Sequence, residues 1–166
     1  MNASNKAYRT SHKVRRPVNA DIRPKRRIMK LILLVGKPQT GKTTVLNLLY
    51  NELATNPDDI VAEKTQVGGR KDDFECVLKC TVSTRMLTVG IFTMGDYLRE
   101  CIRAAHKYSQ VVDVLVLAYS DKFKSGYGKI AGPYPRHFVV NKTVNSEIMG
   151  RDQSNLKDVV TIRSYF

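Results

Sequence analysis

The chain has 166 residues and a formal net charge of +13, and its hydrophobic content of 42% is enough for one domain with a sizeable core. No apolar run approaches the ~18 residues of a membrane-spanning helix. Three cysteines, Cys76, Cys80 and Cys101, are too few and too odd in number for a disulfide framework; Cys76 and Cys80 also lack zinc spacing, so all three read as small buried hydrophobes.

The charge belongs mostly to one end. Residues 1–30 contain ten Lys/Arg and one acid, Asp21, for a balance of +9, whereas the remainder has eighteen Lys/Arg against fourteen acids. Residues 1–29 therefore read as a basic N-terminal arm ahead of a domain spanning 30–166. Basic clusters lie at Lys13, Arg15 and Arg16 and again at Arg23, Lys25, Arg26 and Arg27. Few apolar residues and two prolines, Pro17 and Pro24, leave the arm unable to offset its ordering entropy, so it is expected to be flexible unless docked. No apolar segment of signal-peptide type follows the basic start, which points to a cytoplasmic protein. Three readings of the arm stay open. It binds nucleic acid or another polyanion through phosphate contacts; it is a solvated tail; or it is sequence upstream of a shorter protein beginning at Met29. Tyr8 stands alone, so no aromatic series supports stacking on RNA.

Leu31-Ile32-Leu33-Leu34-Val35 is a continuous apolar run, as expected of a parallel strand buried on both faces. It leads into Gly36-Lys37-Pro38-Gln39-Thr40-Gly41-Lys42-Thr43, followed by Thr44. Beyond the loop, Val45, Leu46, Leu49 and Leu53 fall on one helical face with Leu48 beside it. Asn56-Pro57 is expected to end that helix. The eight residues match G-x-x-x-x-G-K-[ST] at every fixed position, between a buried strand and an amphipathic helix. Such a loop turns successive backbone N–H groups inward as an anion-binding nest. Gly36 and Gly41 supply the backbone freedom, and the helix N-terminus adds partial positive charge.

On these residues the chain resembles the P-loop NTPase superfamily, without a choice of family within it. The resemblance implies that residues 36–44 cradle a nucleoside triphosphate. Lys42 would reach the β- and γ-phosphates and Thr43 Oγ would ligate Mg²⁺.

Farther on, Asp59-Ile60-Val61-Ala62-Glu63 is a candidate short strand, and residues 68–73 (Gly-Gly-Arg-Lys-Asp-Asp) read as a polar, flexible loop, either a switch or a plain connection. Phe74, Cys76, Leu78, Cys80 and Val82 alternate with polar residues. A turn at Ser83-Thr84-Arg85 and a strand over 86–92 complete an antiparallel hairpin at 74–92. A helix is expected from about Tyr97, burying Leu98, Cys101, Ile102 and Ala105. Residues 111–119 form another buried strand, with Asp113 tied to a structural partner at its start. Residues 120–135 hold too many glycines and prolines for a helix, so 120–136 reads as an ordered loop or lid. A short strand follows at 137–140. Residues 145–166 suggest a short helix and a terminal strand Val159-Val160-Thr161-Ile162. The pattern predicts an α/β three-layer sandwich with a mostly parallel sheet, the P-loop NTPase fold, and an antiparallel hairpin at its edge. Ligands of such sheets bind at the carboxyl ends of the strands, where Gly36, Asp96 and Asp121 all fall.

Metal and catalytic candidates follow from that placement. Asp96 would hold Mg²⁺ with Thr43 or position water, although it lies four residues past Phe92; the competing reading makes it a helix N-cap. Asp121 is the alternative acid, and Thr93 could bond a γ-phosphate or a water. Asn141-Lys142 resembles the guanine-reading Asn-Lys-x-Asp element of GTPases, but Val144 stands where the pairing carboxylate belongs, so guanine is disfavoured. Lys122, Lys124, Lys129 and Arg136 are either lid cations or ordinary solvated charges. The expected function is Mg²⁺-dependent binding and hydrolysis of a nucleoside triphosphate, ATP before GTP, with Lys42, Asp96 and Thr93 as catalytic residues. The alternatives are a nucleotide or small-molecule kinase with the 120–136 segment as lid, and a nucleotide-gated nucleic-acid-binding module without catalysis.

Overall fold

A computed structural model of the chain describes residues 28–55, 60–61, 63–68 and 70–166. The basic arm over 1–27 and the expected helix stop at Asn56-Pro57 therefore lie outside the described residues. Four strands form a parallel centre: β1 (Lys30–Gly36), β5 (Arg85–Phe92), β6 (Val114–Ser120) and β7 (His137–Asn141). β4 (Phe74–Val82) runs antiparallel to β5, and the two-residue strands β2 (Ile60–Val61) and β3 (Thr65–Gln66) pair antiparallel with β4. The order across the sheet is β2-β4-β5-β6-β1-β7, with β3 also on β4.

The helices cover both faces. On one side α1 (Lys42–Leu53) and α4 (Ile148–Arg163) pack Val45, Leu46, Leu49, Leu53, Val159 and Ile162 against Ile32, Leu34, Val116 and Ala118. On the other, α2 (Leu98–Tyr108) and the short α3 (Tyr127–Ala131) press Cys101, Ala104, Ala105, Ile130 and Ala131 onto Leu31, Leu33, Leu115 and Leu117. Alternate residues of each central strand thus enter opposite layers, which is why β1 and β6 read as unbroken apolar runs. The result is the three-layer α/β arrangement expected, with a mixed sheet. None of the three cysteines forms a disulfide and all are buried; burial pushes the Cys76 and Cys101 thiols up to about 12. No helix among the described residues is long and apolar enough to cross a membrane.

The two C-terminal expectations are corrected. The segment after β6, expected to hold too many breakers for a helix, is helical: Asp121–Gly126 forms a 3₁₀ turn that runs into α3. Ile130 and Ala131 are buried and the Tyr119 hydroxyl donates to Phe123 O at 2.7 Å, so the segment is anchored to the core at these points. Gly126 is what admits it, since a Cβ there would meet Leu98 at 2.5 Å. Likewise, Val159 to Ile162 is not a strand but the last turns of α4. Asn155, Asp158, Val159 and Ile162 are buried at helical spacing while Val160 is 67% exposed, so the β-branched run is overridden by its period.

Candidate functional site

The loop joining β1 to α1 turns tightly because Gln39 (φ 61) and Gly41 (φ 87) both occupy the left-handed region. Left-handed geometry suits Gly41 and costs Gln39, a side-chain-bearing residue, on the order of 1 kcal/mol. Within the turn Thr40 Oγ1 donates to Lys37 O at 2.9 Å. Gly36 is held close from outside: a Cβ there would lie 2.8 Å from Lys142 Cβ and 3.0 Å from Thr40 Oγ1. Lys42, the first residue of α1, is only 7% exposed, and its ammonium donates to Gly36 O (2.9 Å) and Lys37 O (2.6 Å). Burial lowers its pKa, and the charges of Asp96 and Asp121 pull it part of the way back. The ammonium therefore sits at the mouth of the loop with two carboxylates within electrostatic reach.

On one flank lies a cavity of about 220 Å³ lined by Gln39, Lys42, Thr43, Arg70, Asp73 and Asp96, among others. Asp96 arrives there by an indirect route. β6 separates β1 from β5 in the sheet, so the turn after β5 must cross the end of β6 to approach the loop. Gly95 makes that crossing: a Cβ on it would lie 2.6 Å from the Ala118 carbonyl carbon, and its carbonyl accepts from Ser120 N at 3.0 Å. Asp96 is not a helix cap, since α2 begins at Leu98 with Tyr97 before it and no side-chain cap bond. Its Oδ2 pairs with Arg70 at 3.3 Å, and its Oδ1 is buried with no hydrogen-bond partner among the described residues.

Asp73 was not singled out by sequence reasoning. Its Oδ1 accepts from Thr43 Oγ1 at 3.4 Å and Thr93 Oγ1 at 3.3 Å. Burial raises its pKa, opposed by those two hydroxyls and by Arg70. The hairpin register held a signal for it. Counting outward from the Ser83-Thr84 turn, Glu75 pairs with Phe92, so Phe74 meets Thr93 and Asp73 flanks the turn that carries Asp96. Thr93 itself is largely occupied: its hydroxyl accepts from Phe74 N at 2.7 Å and shares its proton between Phe74 O (3.1 Å) and Asp73. Thr93 thus joins β5 to β4 and positions Asp73.

Asp121 opens the 3₁₀ turn and lines a different cavity, of about 500 Å³, with Tyr119, Lys124 and Tyr127. Asp113, as expected, serves structure: its Oδ2 accepts from Thr88 N at 2.9 Å.

The opposite flank of the loop opens on a cavity of about 480 Å³, walled by Gln39, Thr40, Gly41 and Thr44, by the segment after β7, and by α4. Lys142 lies beneath it in a buried ion pair with Asp158 at 3.0 Å. Asp158 also accepts from Thr143 Oγ1 at 2.8 Å. The Asn-Lys pair is therefore used, at its lysine, to fasten the end of β7 to α4.

The donor set on the Asp73 side is hard oxygen: one hydroxyl and two carboxylates, one with an unpartnered buried oxygen. That set fits Mg²⁺, which keeps several waters and shares phosphate oxygens, so it needs few protein ligands. Among the described residues no group of three or more His, Cys, Asp and Glu forms a self-sufficient metal cage. Comparison of the chain with protein-family models, curated proteins and solved structures finds no match.

Proposed function

We propose that the protein binds a nucleoside triphosphate with Mg²⁺ in the 36–43 loop and cleaves its terminal phosphoanhydride. The observation that carries this reading is the loop itself. A G-x-x-x-x-G-K-T turn with left-handed residues at 39 and 41 encloses a buried lysine, next to a cavity holding Thr43, Asp73 and Asp96. Backbone N–H groups of the loop and the Lys42 ammonium bind the phosphate chain. Thr43 Oγ1, with Asp73 beside it, and Asp96 are the groups that would hold Mg²⁺, whose role when bound is to neutralise β- and γ-phosphate oxygens. The unpartnered Oδ1 of Asp96 accepts a hydrogen bond from the attacking water. The water oxygen bonds to the γ-phosphorus as the bridging P–O bond breaks, the electron pair leaves on the diphosphate, and the proton passes to solvent by way of Asp96. ATP is favoured over GTP because Val144 cannot pair with guanine. A cytoplasmic setting suits such a substrate and three reduced thiols.

Titration calorimetry with Mg·ATP tests the reading. Lys42→Ala should lower affinity by about 10- to 100-fold, the worth of a charge-assisted hydrogen bond, with an unchanged far-UV spectrum. A folded variant of unaltered affinity ends the proposal. Orthophosphate released without any acceptor identifies hydrolysis, whereas a rate that requires an added acceptor identifies phosphoryl transfer.

A further inference from the structure

At the pole of the sheet opposite the 36–43 loop, the amino ends of β1 and β6 and the β4–β5 turn enclose a cavity of about 450 Å³. Lys30, Arg85 and Arg136 line it, together with the hydroxyl-bearing Ser83 and Thr84 and with Ile28. Asp113 is the one acidic residue among those lining it, and its Oδ2 already accepts from Thr88 N at 2.9 Å. Lys30 is engaged as well, since its ammonium donates to Tyr165 O and Phe166 O.

The two arginines are not engaged. Arg70, Arg103 and Arg163 pair with carboxylates and Arg151 donates to backbone carbonyls. The exposed guanidiniums of Arg85 and Arg136 have no hydrogen-bond or ion-pair partner among the described residues. A guanidinium matches phosphate oxygens bidentately, and serine and threonine hydroxyls are common phosphate contacts beside it. The sequence brings more charge of the same sign to this place. Ile28 lines the cavity, and residues 1–27, which join the chain there, carry nine Lys/Arg and one acid. A partner with repeating negative charge along a narrow ridge answers both features, and a sugar–phosphate backbone is such a partner. An anionic bilayer is flat and would meet only the rim of a concavity.

We propose that this pole of the domain is a nucleic-acid interface, in which Arg85 and Arg136 hold the phosphodiester backbone of a duplex beside the basic sequence that enters at Ile28. The interface needs nothing from the 36–43 loop. The seven residues of β1, about 20 Å of strand, separate the two, so both can be occupied at once. Fluorescence anisotropy of a labelled DNA duplex with the full chain, at several salt concentrations, tests it. Arg85→Gln combined with Arg136→Gln removes two phosphate contacts. The pair should make the log–log salt slope shallower by about 1.8 and lower affinity at least about tenfold at about 0.1 M salt. Lys129→Gln combined with Lys157→Gln takes the same charge from exposed positions on α3 and α4 and should change the slope far less.

Equal effects of the two pairs would reduce the arginines to their share of the net charge and overturn the proposal. An unchanged slope in the arginine pair, or a wild type that binds no duplex, overturns it too. A loss of binding to phosphatidylserine vesicles with none on DNA would assign the pole to a membrane surface instead. A readout independent of the variants' folding is phenylglyoxal modification of wild type. Duplex should protect Arg85 and Arg136 and leave Arg99, exposed on α2, as reactive as before. Equal reaction of all three with and without duplex defeats the assignment.

Discussion

Asp73 shows how the site works against the fold. Its carboxylate is partly buried, and desolvation raises its pKa despite hydroxyl bonds from Thr93 and Thr43. A carboxyl whose folded pKa exceeds its unfolded value favours folding below the unfolded pKa and loses that contribution as pH rises through the folded one. Asp73→Asn, which keeps the hydroxyl bonds and removes the charge, should therefore melt at a higher temperature than wild type at pH 7–8. The gap should close below about pH 3, under the unfolded pKa, where the wild-type carboxyl is protonated in both states. The same variant should bind Mg·ATP more weakly, since a charged ligand for the ion is gone. Thermal melts across that range, with calorimetry at pH 7.5, check both halves; a wild type more stable than the variant at pH 8 would contradict the desolvation argument. Asp73 was hidden in the sequence because it sits in a run, Arg70-Lys71-Asp72-Asp73, that looks like any solvated loop. Only the hairpin register distinguishes it from Asp72.

At the scale of elements, the legible parts were those whose own residues decide their state. β1 and α1 carry an unbroken apolar run and a single helical stripe, and the hairpin carries strict alternation; all formed as read. The misread parts are decided by what they touch. The 121–131 segment is full of helix breakers, yet Ile130 and Ala131 find a buried place beneath α2. The 159–162 run has strand propensity, but Asp158 is drawn inward by Lys142, and that pairing commits the segment to α4. The Lys142–Asp158 pair is nearly inaccessible, with side chains 2% and 3% exposed. Removing one partner of such a pair strands a buried charge, at a cost of about 3–5 kcal/mol, whereas replacing both with apolar residues is often close to neutral. Asp158→Leu should thus lower the denaturation midpoint sharply, and Lys142→Met combined with it should recover much of the loss. The recovery will be incomplete because Thr143 also bonds Asp158. Urea titrations of the two single variants and the double variant decide the matter. Additive losses would show that the ammonium is not stranded by the single change. Because Lys142 packs under Gly36, the single variants should also loosen the loop.

For the whole molecule, the order of strands is what local sequence could not supply. Nothing in Leu87 to Phe92 says that β6, and not β5, lies beside β1, and Asp96 reaches the loop only because Gly95 can cross the end of β6. Charge is distributed on an equally large scale. Residues 1–28 carry nine Lys/Arg and one acid, so their removal takes away +8 of the +13. The described apolar layers begin at Met29, so a chain starting there keeps every residue of both. Deleting residues 1–28 should therefore leave the fold and Mg·ATP affinity nearly unchanged. If the arm engages a polyanion, what changes is binding to duplex DNA. About seven phosphate contacts give a log–log dependence on salt with a slope on the order of −6. The shortened chain, left with +5 spread over a folded surface, should bind weakly and with a much shallower slope. Fluorescence anisotropy of a labelled duplex at several salt concentrations measures both quantities. Equal affinity and equal slope for the two chains would assign any DNA binding to the domain and leave the arm as solvated sequence. A shortened chain that fails to fold would show instead that residues 1–28 pack against the domain.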